Sequence, residues 1–126
     1  MQDARYVRLY ADDRGESHFA DVAVALAPVD FAPPAGPLNV GPLFPATRCF
    51  LVSGPADWAG DVPHPAPRRQ LFCMLRGEVE VTASDGETRR LVPGGLLLLE
   101  DTTGRGHATR VVGGGEFLLV AVALAD

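Results

Sequence analysis

Short apolar segments separated by turn residues constrain this chain more than any other feature of its sequence. The segments are divided by Gly, Pro or Asp-Gly at intervals of about ten residues. No segment combines a sustained helical repeat of apolar residues with capping residues. Closing short strands into a barrel leaves no open sheet edges, and a small barrel can hold one ligand. The sequence therefore predicts an all-β fold, an antiparallel β-barrel or jelly roll.

Candidate strands follow from the alternation of polar and apolar residues. The clearest hairpin joins 78–82 to 88–92 through the turn Asp85-Gly86. Residues 96–99 are four leucines, the pattern of a strand buried on both faces. Residues 21–26, apolar after Asp21, are interpreted as a buried strand or an ambiguous short element. The other candidate strands are 6–10, 48–52, 107–112 and 116–124.

The length of 126 residues corresponds to a single domain, 1–126, with one core. Residues 28–45 contain six prolines and two glycines. Each proline fixes φ and removes a hydrogen-bond donor, so this segment cannot form a helix or a central strand. We expect a proline-rich arm, extended or looped, that lies over the body of the domain.

Charge and hydropathy exclude several classes of partner. The formal net charge is −5 and no basic stripe is present, which argues against nucleic acid. The longest apolar stretch, 117–125, is too short to span a bilayer, and the N-terminal segment lacks the apolar run of a signal peptide. We expect a cytoplasmic protein with no membrane partner. Cys49 and Cys73 lie in apolar segments and are expected to be reduced thiols in the core.

A histidine-containing segment, HPAPRRQ at 64–70, is followed by six residues and then Gly77. This spacing resembles the first motif of the cupin superfamily, G-x5-H-x-H-x3-4-E-x6-G. His64 takes the first histidine position, Gln70 the glutamate position and Gly77 the closing glycine. Ala66 stands where the second histidine would be.

From Gly94 onward the chain resembles the second cupin motif, G-x5-P-x-G-x2-H-x3-N. Glu100 falls at the proline position, His107 at the histidine position if the loop holds two inserted residues, and Val111 replaces the asparagine. The segments HPAPRRQ, EDTTGRGH (100–107) and GESHF (15–19) are also similar to a subgroup of small bacterial cupins. The resemblance covers nearly the whole chain and implies a cupin-type β-barrel, the double-stranded β-helix.

In a typical cupin, three imidazoles and a carboxylate close on a divalent metal and leave positions open for substrate. The resemblance carries over His64, Gln70 and His107, which amount to two imidazoles and a carboxamide. A neutral amide binds a hard cation weakly, so the site is weakened relative to the family pattern. The resemblance leaves open whether one divalent metal (Zn, Fe, Ni or Mn) binds as a cofactor. Glu100 or Asp101 could then supply the carboxylate that the motif lacks at Gln70.

The candidate catalytic residues are His64, Glu100 and His107, since imidazole and a desolvated carboxyl group exchange protons near neutral pH. Glu100 follows four leucines, where burial raises a carboxyl pKa. The alternative is that Glu100 pairs with Arg105 or Arg110 to hold the loop. His18 has no motif support and is interpreted as structural.

The candidate substrate contacts are Arg69, Trp58, Phe72 and Asp101. Arg68 and Arg69 face opposite sides of an extended segment, so one of them is a candidate to enter the barrel mouth and bind a carboxylate, and the other is a surface or dimer-interface charge. The alternative for each is a solvated surface residue. Trp58 precedes His64 and either covers the pocket or packs over the barrel end. Asp101 also begins a segment typical of a turn in which side chains bond the backbone.

The function predicted from these residues is that of a small-molecule enzyme, an isomerase, epimerase or cyclase. It would act by acid–base chemistry, or with a metal as Lewis acid. The alternatives are a metal-dependent oxygenase with a reduced ligand set and a non-catalytic metabolite-binding cupin. A homodimer is expected, because cupins often exchange N-terminal strands and the proline-rich arm could wrap a partner. Leu71, Cys73 and Leu75, alternating with Phe72 and Met74, suggest an apolar outer face for such contact.

Overall fold

The computed structural model describes residues 3–126, and every regular element in that range is a β-strand. In chain order the strands are β1 Asp3–Ala11, β2 Ser17–Ala25, β3 Ala27–Val29, β4 Leu38–Val40, β5 Ala46–Gly54, β6 Ala59–His64, β7 Gln70–Arg76, β8 Glu78–Ala83, β9 Thr88–Leu91, β10 Leu96–Leu99, β11 His107–Val112 and β12 Phe117–Leu124. The prediction of an all-β fold is confirmed. Over residues 3–126, no helix is long and apolar enough to cross a membrane.

Two sheets form the barrel. The larger has six strands in the order β2-β1-β10-β7-β12-β5, and the smaller has four in the order β6-β11-β8-β9. The β1–β10 pair is parallel, and the other strand pairs of these two sheets are antiparallel. Side chains from both sheets share one core, among them Leu9, Met74 and Leu119 from the larger sheet and Val79 and Val81 from the smaller. This arrangement is the predicted jelly roll.

Strand alternation decides which side chains enter this core. On β12, Phe117, Leu119 and Ala121 are buried, while Leu118 and Val120 between them are only half-buried. Successive residues on a strand point to opposite faces of the sheet, so the second set lies on the outer face. Because β12 carries apolar side chains on both faces, its sequence is an unbroken hydrophobic run.

The four leucines of β10 are buried on both faces, as predicted. Leu97 and Leu99 belong to the barrel core, whereas Leu98 lies in a second cluster on the outer face with Leu71 and Leu124. Phe44, near the end of the proline-rich segment, packs against this outer cluster. A segment laid over the sheet therefore supplies the second layer that a doubly buried strand needs.

Two expectations about burial are wrong. Residues 21–25 belong to β2, an edge strand of the larger sheet, and alternate between half-buried and exposed. Cys49 and Cys73 are free thiols but lie outside the core, exposed and half-buried respectively. Cys73 pairs with Val120 across the strands, on the outer face of the sheet. An apolar neighbourhood in sequence does not reveal which face of a strand is covered.

Candidate functional site

A cavity of about 220 Å³ lies between the two sheets. Its walls are largely apolar, with side chains from both sheets: Phe72, Val79, Val81, Leu91, Leu97 and Leu119. His64, Gln70 and His107 also line the cavity. The three residues that the sequence motifs single out therefore share one pocket.

His64 and Gln70 reach the cavity from different strands. His64 ends β6 in the smaller sheet and Gln70 begins β7 in the larger sheet. The connecting loop bends between the sheets, held by a 2.9 Å hydrogen bond from the backbone N–H of Ala66 to the carbonyl oxygen of Asp101.

His107 begins β11 directly opposite His64 on β6. The two imidazole rings are 5.1 Å apart between centroids. Gly106 makes this approach possible, because a Cβ on that residue would lie 2.1 Å from the carbonyl carbon of His64. Gly106 also has φ of +73°, which residues with a side chain rarely adopt. His107 is buried, whereas His64 is exposed at the rim.

Asp101 holds the imidazole of His107 from behind. Its Oδ2 lies 2.6 Å from Nδ1 of His107, and the Asp101 side chain is completely buried. A carboxylate only accepts hydrogen bonds, so Nδ1 carries the proton and Nε2 is left for the cavity side. The other oxygen, Oδ1, is buried without a hydrogen-bond partner among the described residues. Leaving a buried acceptor without a partner costs about 1–3 kcal/mol.

Ser17 fixes the loop that carries this pair. Its Oγ donates a 2.7 Å hydrogen bond to the carbonyl oxygen of Gly106 and accepts one, also 2.7 Å, from the backbone N–H of Ser84. The backbone N–H of Arg105 donates to the carbonyl oxygen of Gly15 at 2.9 Å. The GESHF segment at 15–19, noted in the sequence only as a resemblance, thus anchors the loop beside His107.

Glu100 lies on the outer face of the larger sheet and does not line the cavity. Its carboxylate accepts hydrogen bonds from Arg8 and, at 2.9 Å, from Arg69. Burial acts to raise the pKa of Glu100, but the bonds from Arg8 and Arg69 outweigh it and hold this pKa below its ordinary value. The predicted raised pKa, and the predicted pairing with Arg105 or Arg110, are both wrong.

Arg69 is likewise away from the cavity. Besides binding Glu100, it donates a 3.3 Å hydrogen bond to the carbonyl oxygen of Ala125 and lies over the ring of Phe44. Neither Arg69 nor the exposed Arg68 is among the residues that line the pocket. The expectation of an arginine in the barrel mouth is therefore wrong, because residues 65–69 form a bent loop in place of the predicted extended segment, with Arg69 paired to Glu100 and Arg68 exposed.

Trp58 and Phe72 do border the cavity. Phe72 is part of the wall on β7. Trp58 is 40% exposed and meets Phe117 edge-to-face, with the ring centroids 6.3 Å apart. Trp58 therefore both lines the cavity and packs against Phe117, so covering the pocket and packing over the barrel end both stay predictions.

The Asp101–His107 pair was missed by the sequence argument, although a signal for it was present. Leu97 and Leu99 face inward on β10, so the residue two further on, Asp101, continues the inward face. By the same alternation, Glu100 follows Leu98 to the outer face. The alternation within a short leucine strand was thus more informative than the position of Glu100 in the motif.

The donor groups of this site do not match the metal-binding set of a typical cupin. Two imidazoles and a neutral carboxamide line the cavity, and no carboxylate is among the described lining residues. Within residues 3–126, no group of three or more His, Cys, Asp or Glu side chains is arranged to hold a metal. A hard or borderline divalent cation needs anionic or additional nitrogen ligands. The described lining residues therefore do not fit a divalent metal.

Comparison with known proteins identifies the fold. No protein-family model and no curated protein matches the sequence. Among solved structures, the chain is similar to the cupin domain of Cnp3 from Schizosaccharomyces pombe, with a TM-score of 0.50 and 16% identity over 98% of this chain and 84% of that one. At this identity the likeness concerns the fold alone. The chain thus has a cupin-type fold.

Proposed function

We propose that this chain is a small-molecule enzyme of the acid–base type, an isomerase, epimerase or cyclase that moves a proton on a substrate held in the barrel. The observation that carries the proposal is the buried His107, which borders an apolar cavity and has its Nδ1 bound to Asp101. A histidine oriented by a buried carboxylate is a common arrangement for a general base.

The proton transfer assigns one role to each polar residue of the cavity. Nε2 of His107 takes a proton from the carbon beside a substrate carbonyl, and Asp101 stabilises the imidazolium that forms. The carboxamide of Gln70 donates a hydrogen bond to the enolate oxygen. The proton then returns from His107 to a different atom or face of the substrate, or His64 at the rim delivers a proton that it replaces from solvent while His107 releases the abstracted proton to solvent. In both cases the protein regains its starting protonation state.

The apolar walls strengthen this chemistry. A hydrogen bond or ion pair is stronger in a low-dielectric cavity than in water, so Gln70 and Asp101 stabilise the developing charges more effectively there. Acid–base catalysis by a positioned side chain contributes about 100-fold to 10,000-fold in rate.

Deuterium exchange tests the proposal without knowledge of the natural substrate. The probe is β-tetralone, a neutral ketone with acidic protons beside its carbonyl, followed by proton NMR in buffered deuterium oxide. We expect the protein to accelerate exchange, and His107→Ala to remove at least about 100-fold of that acceleration. Glu100→Gln serves as the contrast, because Glu100 lies outside the cavity, and is expected to retain it. Equal acceleration by wild type and His107→Ala would refute the proposal.

The metal-dependent oxygenase makes a different prediction. It requires a divalent metal that is bound by wild-type protein and lost from both His64→Ala and His107→Ala. We expect elemental analysis of untagged protein to give no stoichiometric metal, because the donor set contains no carboxylate. Stoichiometric metal that is absent from both variants would favour the oxygenase. A metabolite-binding protein without catalysis would bind the ketone but leave its exchange rate unchanged.

A further inference from the structure

The charge of the cavity walls restricts what can bind there. Among the described residues that line the cavity, the only ionisable side chains are His64 and His107. His107 is already bound to the carboxylate of Asp101. No described residue of the walls therefore carries a permanent charge that could pair with a charged ligand.

The arginine predicted to be such a partner is engaged elsewhere. Arg69, the predicted carboxylate binder, is paired with Glu100 on the outer face. Moving an unpaired charged group from water into an apolar site costs many kcal/mol, far more than apolar contacts return. Carboxylates, phosphates and ammonium groups are thus disfavoured as ligands of this cavity.

The volume limits ligand size. A dry cavity of about 150 Å³ is known to accept benzene. This cavity, at about 220 Å³, is larger by a few non-hydrogen atoms. A substituted six-membered ring or a small fused bicycle matches that space.

Aromatic side chains and polar groups occupy different ends of the site. Trp58 lies against Gly60 near the start of β6, where a Cβ on Gly60 would come within 2.2 Å of two indole ring carbons. His64 lies at the other end of β6, where it pairs with His107, whereas Gly60 pairs with Thr109; β6 bulges between them, so the two positions are two residues of β11, or about 7 Å, apart. Gly60 is therefore required for the indole to approach the strand at the end away from the histidines.

We propose that the ligand is a neutral, mostly apolar ring compound with one carbonyl or hydroxyl oxygen. The ring lies beneath Trp58, and the oxygen points towards His64, Gln70 and His107. Gly60 determines specificity by seating the tryptophan. The position of the oxygen rests on the proposed acid–base function, whereas the neutrality and size of the ligand rest on the cavity alone.

Trp58 is the only tryptophan of the chain, so its fluorescence reports directly on occupation of the cavity. Three probes of matched shape separate charge from size: cyclohexyl methyl ketone, cyclohexanecarboxylate and cyclohexylammonium. We expect the ketone to give a saturable shift of emission to shorter wavelength as water leaves the indole. Each ion should bind at least about tenfold more weakly. An ion that binds as tightly as the ketone, or a ketone that leaves emission unchanged, would overturn the inference.

Two glycine substitutions test whether Gly60 positions the side chain of Trp58. Gly60→Ala should displace the indole, shift emission of the free protein to longer wavelength and weaken ketone binding by about tenfold. The matched control is Gly115→Ala, because nothing lies within 4 Å of a Cβ built there. If Gly60→Ala does not fold, Trp58→Ala with ligand-observed NMR provides the same test. Unchanged ketone affinity in the variant that folds would contradict a role for the Trp58–Gly60 contact.

The same measurements distinguish this inference from the proposed function. If the ketone binds and the ions do not, but no deuterium exchange is accelerated, the ligand class stands and the catalytic role falls. If exchange is accelerated while carboxylate competes as strongly as ketone, the catalytic role stands and the ligand class falls.

Discussion

At the scale of single residues, the consecutive carboxylates Glu100 and Asp101 face opposite sides of the sheet and have different roles. Glu100 faces outward, where two arginines neutralise it and its side chain is 17% exposed. Asp101 faces inward, fully buried, with His107 as its single side-chain partner among the described residues. The outward carboxylate stabilises the fold, and the inward one positions an imidazole.

Glu100→Gln should therefore lower stability without affecting chemistry. Partly exposed ion pairs contribute up to about 1 kcal/mol each, so we expect a decrease of about 1 kcal/mol in the free energy of unfolding in urea. The difference should shrink at high salt, because salt screens the arginine contacts. Glu78→Gln, which removes a more exposed pair with Arg90, serves as the control and should have a smaller effect. A loss of ketone exchange with unchanged stability would contradict this assignment.

The motif spacing was sufficient to select three residues that the structure groups around one cavity: His64, Gln70 and His107. It was insufficient for the carboxylate. The loop before His107 departs from the cupin pattern by two inserted residues, and such an insertion hides which side chain faces the imidazole. That choice depends on the exact residue at which β10 stops alternating, and on the contact of the loop with Ser17, which is distant in sequence.

At the scale of elements, His18 on β2 links two turns of the barrel. Its Nε2 lies 2.7 Å from Oδ2 of Asp12, and its Nδ1 lies 2.9 Å from Oδ2 of Asp85 in the β8–β9 turn. The hydrogen bonds to Asp12 and then to Asp85 raise the pKa of His18 above 6.5. The bond to His18 lowers the pKa of Asp12 below 3.8, and the backbone N–H of Glu87, followed by His18, lowers that of Asp85.

This link predicts a defined pH dependence of stability. His18 binds its proton more tightly in the folded state, so its contribution is complete below pH 6.5 and is lost as the pH rises through the raised pKa. The contribution of the carboxylates is present above pH 3.8 and is lost as the pH falls through their lowered pKa values. In urea unfolding, the stability difference between wild type and His18→Gln should be largest between those limits. A difference that grows above neutral pH would contradict the prediction.

Regular alternation and Asp-Gly turns made most strands of the two barrel sheets predictable in position. β6 was not predicted, because it contains Gly60 and Pro63 and its residues are almost all exposed. It forms because it pairs with β11, with an irregular register between His107 and Thr109. Pairing with a distant strand overrides local propensity here, and that pairing is not visible in the segment itself.

At the scale of the whole molecule, the outer face of the larger sheet is apolar beyond the area that Phe44 covers. Leu51 on β5 is 67% exposed and Leu75 on β7 is 47% exposed, with the half-buried Val120 on the strand between them. Contiguous exposed apolar surface is typical of protein–protein contact. We propose that two copies of this chain associate through this face.

Leu51→Glu should separate the two copies, because it introduces a charge into the apolar contact. Light scattering should give the mass of a dimer for wild type and a smaller mass for the variant. Val92→Glu replaces an exposed apolar residue that follows β9 of the other sheet, and it should remain dimeric. A monomeric wild type, or a dimer that persists with Leu51→Glu, would contradict the proposed interface.

The proposed chemistry depends on the tautomer of His107, in which Asp101 holds the proton on Nδ1 and Nε2 faces the cavity without one. Nitrogen-15 NMR of the imidazole rings measures this directly, since the two tautomers give different correlation patterns. At neutral to mildly alkaline pH, we expect His107 to show the Nδ1–H tautomer in wild type and to lose that preference in Asp101→Asn. A wild-type His107 with its proton on Nε2 would contradict the account.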